Sequence, residues 1–159
     1  MVPETVKANI ERVLVENKEE VVKKLKNLFE YPLHPDTRIL LFEVQGDSGI
    51  FGIQISQFKY LDEEIQYNAK GEFIGSAIVD FGFDFFEYIP RYVYKQDIDT
   101  EIEFSKYAEE RMYEWLADCF EEAGGKKFPI KCCVHFHDTG EGFDLHDRQW
   151  KDLEDFENH

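Results

Sequence analysis

No stretch of this chain approaches the roughly 18 consecutive apolar residues that a membrane-crossing helix needs. The N-terminal residues MVPETVKANIERVLVENKEE also lack the apolar core of a signal peptide, so a soluble, cytoplasmic protein is expected. Cysteine is scarce and odd in number, at three, with no C-x-x-C spacing. Cys132 and Cys133 are adjacent and would point to opposite faces of a strand, while Cys119 falls at an apolar helix position. Reduced thiols are the expectation. Neither G-x-G-x-x-G nor G-K-[ST] occurs, and no βαβα alternation is visible, which excludes the common nucleotide-binding folds.

Positive charge is the other shortage. Eighteen Lys and Arg stand against 34 Asp and Glu, a formal net charge of −16. Residues 1–31 carry six acids and six bases, so residues 32–159, with 28 acids and 12 bases, hold the whole excess. Such a surface repels nucleic acid and anionic lipid and attracts cationic proteins; no nucleic-acid or membrane partner is expected. Acidity also serves solubility, so charge alone does not identify a partner.

What is abundant is core material. Of 159 residues, 43% are hydrophobic and 16% aromatic, including 15 Phe and eight Tyr, enough for one domain spanning 1–159. Pro3 suits a first helical turn. Val6, Ile10, Val13, Val21, Leu25 and Leu28 follow at helical spacing, predicting one amphipathic helix with a bend at Asn17, ended by the prolines of YPLHP. In RILLFEVQGDSGIFGIQISQF, Leu40, Phe42 and Val44 alternate, GDSG turns, and Phe51, Ile53 and Ile55 alternate again, the pattern of a β-hairpin. EEIQYNAKGEFIGSAIVDFGFDFFEY continues in strand style with a turn at NAKG. There Val79, Phe81, Phe83 and Phe85 share one face, and Asp80, Gly82 and Asp84 form an acidic outer face.

DTEIEFSKYAEERMYEWLADCFEEAGG carries the clearest helical signal. Thr100 and Glu103 fit a capping box. Phe104, Ala108, Met112, Trp115, Leu116, Cys119 and Ala123 trace the buried stripe, and Gly124 and Gly125 end it. Pro129 opens the strand IKCCVHFH, and DRQWKDLEDF reads as a short terminal helix with Trp150 and Leu153 inward. The predicted fold class is α+β: an antiparallel β-sheet with an N-terminal helix and a long C-terminal helix packed on it.

Several motifs look like chemistry. GDSG (Gly46 to Gly49) resembles the nucleophile segment of chymotrypsin-like proteases but continues Ile50-Phe51, and the chain has no room for two barrels. DTG (Asp138 to Gly140) occurs once, where aspartic proteases need two Asp sharing a proton. DIDTEIE lacks the Gly and the final Glu of a calcium loop. The densest cluster is CCVHFHDTGEGFDLHD. A two-residue loop at Gly140-Glu141 would pair His137 with Asp144, His135 with His146 and Phe136 with Leu145. His135, His137, Asp144 and His146 would then be competent for zinc, with three protein ligands and a water, as in a metal-dependent hydrolase. No H-E-x-x-H or C-x-x-C accompanies them, and a hairpin with one wet face places polar residues there anyway. The preferred reading is a polar hairpin face with no cofactor.

Glu110, Glu114, Asp118 and Glu121 form a stripe opposite the apolar face of the long helix, with Lys106 and Arg111 near enough to relieve it. Like charges at i,i+4 oppose one another by a few tenths of a kcal/mol, so the stripe suggests a basic partner. Tyr113, beside Glu114 and off the main apolar stripe, is the expected exposed aromatic anchor; Asp80 and Asp84 form a second acidic patch.

The order of elements resembles the small acidic immunity proteins of bacterial polymorphic toxin systems, most nearly the YezG-like group. It comprises an N-terminal helix, the hairpin RILLFEVQGDSGIFGIQI, a long acidic helix ending near Gly, and FPIKCCVHFHDTGEGFDLHD as strand, Gly turn and strand. The His-rich hairpin and VDFGFDFFEY depart from that group. The resemblance implies a non-enzymatic inhibitor that binds a basic, nuclease-like toxin domain from the same cell. An acidic scaffold or DNA mimic is the remaining alternative.

Overall fold

The computed structural model of the chain describes residues 2–45, 50–78, 83–87, 98–136 and 140–157. Helix α1 (Glu4–Glu30) follows Pro3, whose extended backbone makes it the N-cap. It buries the predicted positions Val6, Ile10, Val13, Val21, Leu25 and Leu28, and adds Leu14 and Val22. It runs continuously through Asn17, whose side-chain amide donates to the Val13 carbonyl (2.7 Å).

Strands β1 (Ile39–Gln45) and β2 (Ile50–Tyr60) form the expected hairpin, with Phe42 opposite Ile55 and Val44 opposite Ile53. The GDSG segment itself lies outside the described residues. Strand β3 (Glu63–Ile65) pairs with the far end of β2, and β4 (Phe83–Glu87) with its near end. Residues 79–82, which carry Asp80 and part of the Phe-rich strand, lie outside the described residues, and Asp84 in β4 is described by its backbone alone.

Helix α2 (Ile98–Glu122) is already formed at Ile98, so Thr100 lies inside its first turn and not at its cap. Gly124, with φ +95°, supplies the left-handed residue that ends it; its N–H donates to the Glu121 carbonyl (3.0 Å). The chain continues through β5 (Lys131–Phe136), β6 (Glu141–Asp144) and β7 (Gln149–Asp152) to a 3-10 turn at Leu153–Phe156.

Three expectations are corrected here. The sheet is mixed, in the order β3-β2-β1-β5-β6-β7 with β4 also on β2, because β5 runs parallel to β1. The long acidic helix is not C-terminal: it sits in mid-chain as the crossover from the first strands to β5, and a three-stranded meander follows it. The predicted terminal helix is instead β7 and a single 3-10 turn. Pairing with β6, which sets Trp150 opposite Phe143, overrides a local helical pattern only ten residues long.

Both helices pack on one face of the sheet, against Leu40, Phe42, Val44, Ile53, Ile55, Cys132, Val134, Phe143 and Leu145. The other face holds a smaller cluster of Ile39, Leu41, Cys133 and Phe156, covered in part by Leu61 and Leu153. The paired strands β1 and β5 are thus apolar on both sides. That is why ILLF and CCV read as continuous runs, as strands in parallel pairing do.

Candidate functional site

Helix α2 turns Phe104, Ala108, Met112, Trp115, Leu116, Cys119 and Phe120 into the core and leaves Glu110, Glu114, Asp118 and Glu121 exposed on the outer side. The stripe is therefore a surface, but most of it is compensated by bases from other elements. Arg148 reaches Asp118 and Glu121, each at 2.8 Å. Its guanidinium, followed by Lys126, holds the Glu121 carboxyl below its usual range. Lys18 of α1 pairs with Glu122 (3.1 Å), and Arg111 bridges Glu114 and Glu11 of α1. Glu110 makes no ion pair among the described residues. Its neighbour Glu109 is half-buried, and burial, then the Glu110 charge, push the Glu109 carboxyl upward. Among the described residues, the uncompensated end of the stripe is thus at Glu109 and Glu110.

Tyr113 is not the exposed anchor expected of it. It is only 7% exposed, covered by strands that arrive later in the chain, and its ring touches those of Phe143 and Trp150 (centroids 5.8 and 4.6 Å). The aromatic that stands out is Trp150, at 50% exposure, edge-on to Tyr113. Trp150 was expected to point inward; the strand pairing carries it to the rim of the acidic face. Arg148, which ties the same turn to α2, escaped notice in the sequence as well. The available signal was QWKD, a single large apolar residue among polar ones, which suits a short wet edge strand better than a helix.

The β6–β7 turn that positions both residues is built by Asp144. One of its carboxylate oxygens accepts from the His146 N–H (2.8 Å) and, more weakly, the Asp147 N–H (3.4 Å); the other meets the Lys151 ammonium (2.8 Å). The hydrogen bond that Lys151 donates to Asp144, with a second to Asp147, raises the Lys151 pKa. Arg148 closes the turn in the left-handed region at φ +59°.

This use of Asp144 also overturns the expected hairpin register. Cys133, not His137, lies opposite Asp144, and Val134 lies opposite Phe143. His135 is buried beside Glu43 of β1. The His146 ring packs on Phe120 and its Nε2 donates to the Phe128 carbonyl (2.9 Å). His137 lies outside the described residues, as do Asp138 and Thr139. Of the proposed ligands, Asp144 and His146 come together, with Nδ1 3.9 Å from the carboxylate, but no group of three metal-ligating side chains occurs among the described residues. Residues 145–148 belong to the next turn and not to the strand, so the slip has a local cause in Asp144 capping that turn.

The thiols lie inside. Burial pushes Cys119 up to about 12 and raises Cys132 and Cys133 well above the ordinary range. None has the lowered pKa of a nucleophile. Among the described residues, no helix is long and apolar enough to cross a membrane. Comparison with protein-family models, curated proteins and solved structures gives no match for this chain.

Proposed function

We propose that this protein is a non-enzymatic acidic binding protein, an immunity protein of the cytoplasm that neutralises a basic, nuclease-like bacterial toxin domain. The observation that carries the reading is Trp150, a half-exposed ring propped on buried Tyr113 at the rim of a helix face bearing Glu110, Glu114 and Asp118. Interfaces concentrate their energy in such aromatic anchors, and Trp and Tyr are enriched among them. The surrounding acids steer a cationic partner to the anchor, so association slows as salt rises. The six acids and six bases of residues 1–31 leave the excess charge in the part of the chain that presents this face.

The test is co-expression with the basic toxin domain encoded in the neighbouring reading frame. Wild type protects the cell; Trp150→Ala and Glu110→Lys/Glu114→Lys bind the toxin more weakly and protect less. Equal protection by wild type and both variants, at low and high salt alike, removes this face as the interface. Failure of wild type to protect removes the immunity reading itself.

A further inference from the structure

We propose that the open edge of β7 takes an extended segment of the basic partner as a further strand of the sheet, with the Trp150 ring packed on that segment's side chains. The proposal rests on the reading of a cationic partner at this face and adds how the partner is held. The sheet ends at β7: β6 pairs with one of its edges, and among the described residues no strand pairs with the other.

The register of β7 decides which backbone groups are on offer. The Leu153 N–H donates to the Gly140 carbonyl (3.0 Å), and the pairs Lys151–Gly142 and Gln149–Asp144 follow in step with it. Hydrogen-bonded and non-hydrogen-bonded positions alternate in an antiparallel pair. The N–H and carbonyl of Trp150 and the N–H of Asp152 therefore point away from β6. Such groups on an end strand are a template for another strand. Trp150 opposes Phe143 and its ring rests on Tyr113, so its side chain lies on the helix side of the sheet at this same edge. One residue thus supplies both ladder groups and a half-exposed aromatic anchor.

Charge selects the occupant. Asp152 is exposed in β7, exposed Glu154 and Asp155 follow it, and Glu109 and Glu110 lie one helical turn before Tyr113 on α2. A strand laid beside Trp150 on the helix side passes these acids, which favours cationic side chains on it. A second copy of the chain is disfavoured there, since two molecules of net charge −16 repel.

The probe is the acetylated and amidated peptide Arg-Val-Arg-Val-Arg-Val, titrated into the whole chain at physiological ionic strength, with hydrogen exchange read at single amides by NMR. Binding is expected to slow exchange at the Trp150 and Asp152 amides, while the Lys151 amide, which points to β6, changes less. A fully N-methylated peptide keeps the charge and side chains but has no N–H to donate, and should bind about tenfold more weakly. Asp152 has φ −65°, the value that proline imposes, and its N–H is not needed by β6. Asp152→Pro should therefore fold, yet bind the peptide less tightly than Asp152→Asn, which loses the same charge and keeps the N–H. The methylated peptide decides the matter without relying on that variant. Unslowed exchange at Trp150 and Asp152, or equal affinity for the methylated peptide, overturns the added strand. If the peptide still shifts amides around Glu110 and Trp150 in that case, the cationic-partner reading stands without it. Protection of the two amides that grows with protein concentration in the absence of peptide assigns the edge to a second copy and overturns the proposal. A peptide that binds nowhere even at low salt overturns the proposal and the reading beneath it.

Discussion

The Trp150 ring stands edge-on to that of Tyr113, centroids 4.6 Å apart, so a half-exposed residue of the last strand rests on a buried residue of the long helix. The pair divides two roles that a sequence reading assigns to one residue. Tyr113 supplies support and Trp150 supplies contact.

This division predicts opposite outcomes for the two truncations. Tyr113→Ala, which empties a buried site, is expected to lower stability by about 3 kcal/mol in urea unfolding. Trp150→Ala should cost about 1 kcal/mol or less of stability, yet weaken binding of a basic partner by about 2 kcal/mol or more. A Trp150→Ala protein that binds the partner unchanged by calorimetry would contradict the proposal.

Arg148 combines a left-handed backbone, φ +59°, with ion pairs to Asp118 and Glu121. Those pairs are partly exposed and contribute little, whereas the backbone strain is about 1–2 kcal/mol. Arg148→Gly is therefore expected to be more stable than Arg148→Ala by about 1 kcal/mol, even though both lose the guanidinium. Equal melting curves for the two variants would show that the left-handed backbone at this turn carries no such strain.

Gly142 lies diagonal to Cys133 across the β5–β6 pair, on the same face of the sheet. A methyl group there would overlap the Cys133 sulfur and come within 3.0 Å of Leu153, whereas Gly140 has open space around it. Gly142→Ala is expected to cost about 1–3 kcal/mol and Gly140→Ala less than about 0.5 kcal/mol. Adding Cys133→Ala to Gly142→Ala should recover part of the loss; a double variant less stable than either single change would rule out steric overlap as the cause.

Gln57, almost wholly buried, accepts from the His34 N–H (2.8 Å) and donates to the Tyr67 and Ile65 carbonyls (2.9 and 3.3 Å). It joins two loops to β2 with one side chain. Gln57→Leu leaves those buried groups without this partner and is expected to cost about 1–3 kcal/mol. Hydrogen exchange should accelerate at the Asn68 and Ile74 amides first, while amides of α2 keep their native protection; uniform acceleration would point to a global effect.

The buried thiols set an alkaline limit. Burial favours the neutral form, so Cys119 titrates near 12 in the folded chain against about 9 for a free thiol. The folded state then holds a proton that the unfolded state loses. Stability from this group is complete below pH of about 9 and declines as pH rises toward 12, by up to about 1.4 kcal/mol per pH unit. Urea midpoints measured across that range should fall, and native protein at pH 8 should resist thiol-labelling reagents until it is unfolded. Rapid labelling of three thiols in the native state would refute the burial argument.

Local pattern made much of this molecule legible. The spacing of Val6 to Leu28 and of Phe104 to Cys119 matches the buried faces of α1 and α2, and alternation in Leu40, Phe42, Val44, Ile53 and Ile55 matches the inner face of the first hairpin. Asn68 and Gly71 turn the chain at NAKG as their types require. The surface position of Glu110 and Glu114 followed from the same helical period. The anchor did not: Tyr113 sits at the margin of its helix face, and only Phe143 and Trp150, some thirty residues further on, decide that it is covered.

By itself, then, the sequence determined the α+β class, the helix faces, the first hairpin and the location of the excess negative charge, because periods of 3.6 and 2 and the turn residues act over a few neighbours. The tertiary structure decided that β5 lies parallel to β1, that Asp144 faces Cys133 and not His137, and that Trp150 rather than Tyr113 stays half in water. Those outcomes depend on which strands meet after long loops close, and on whether an acid such as Asp144 spends its oxygens on a turn, a choice settled by contacts remote in sequence.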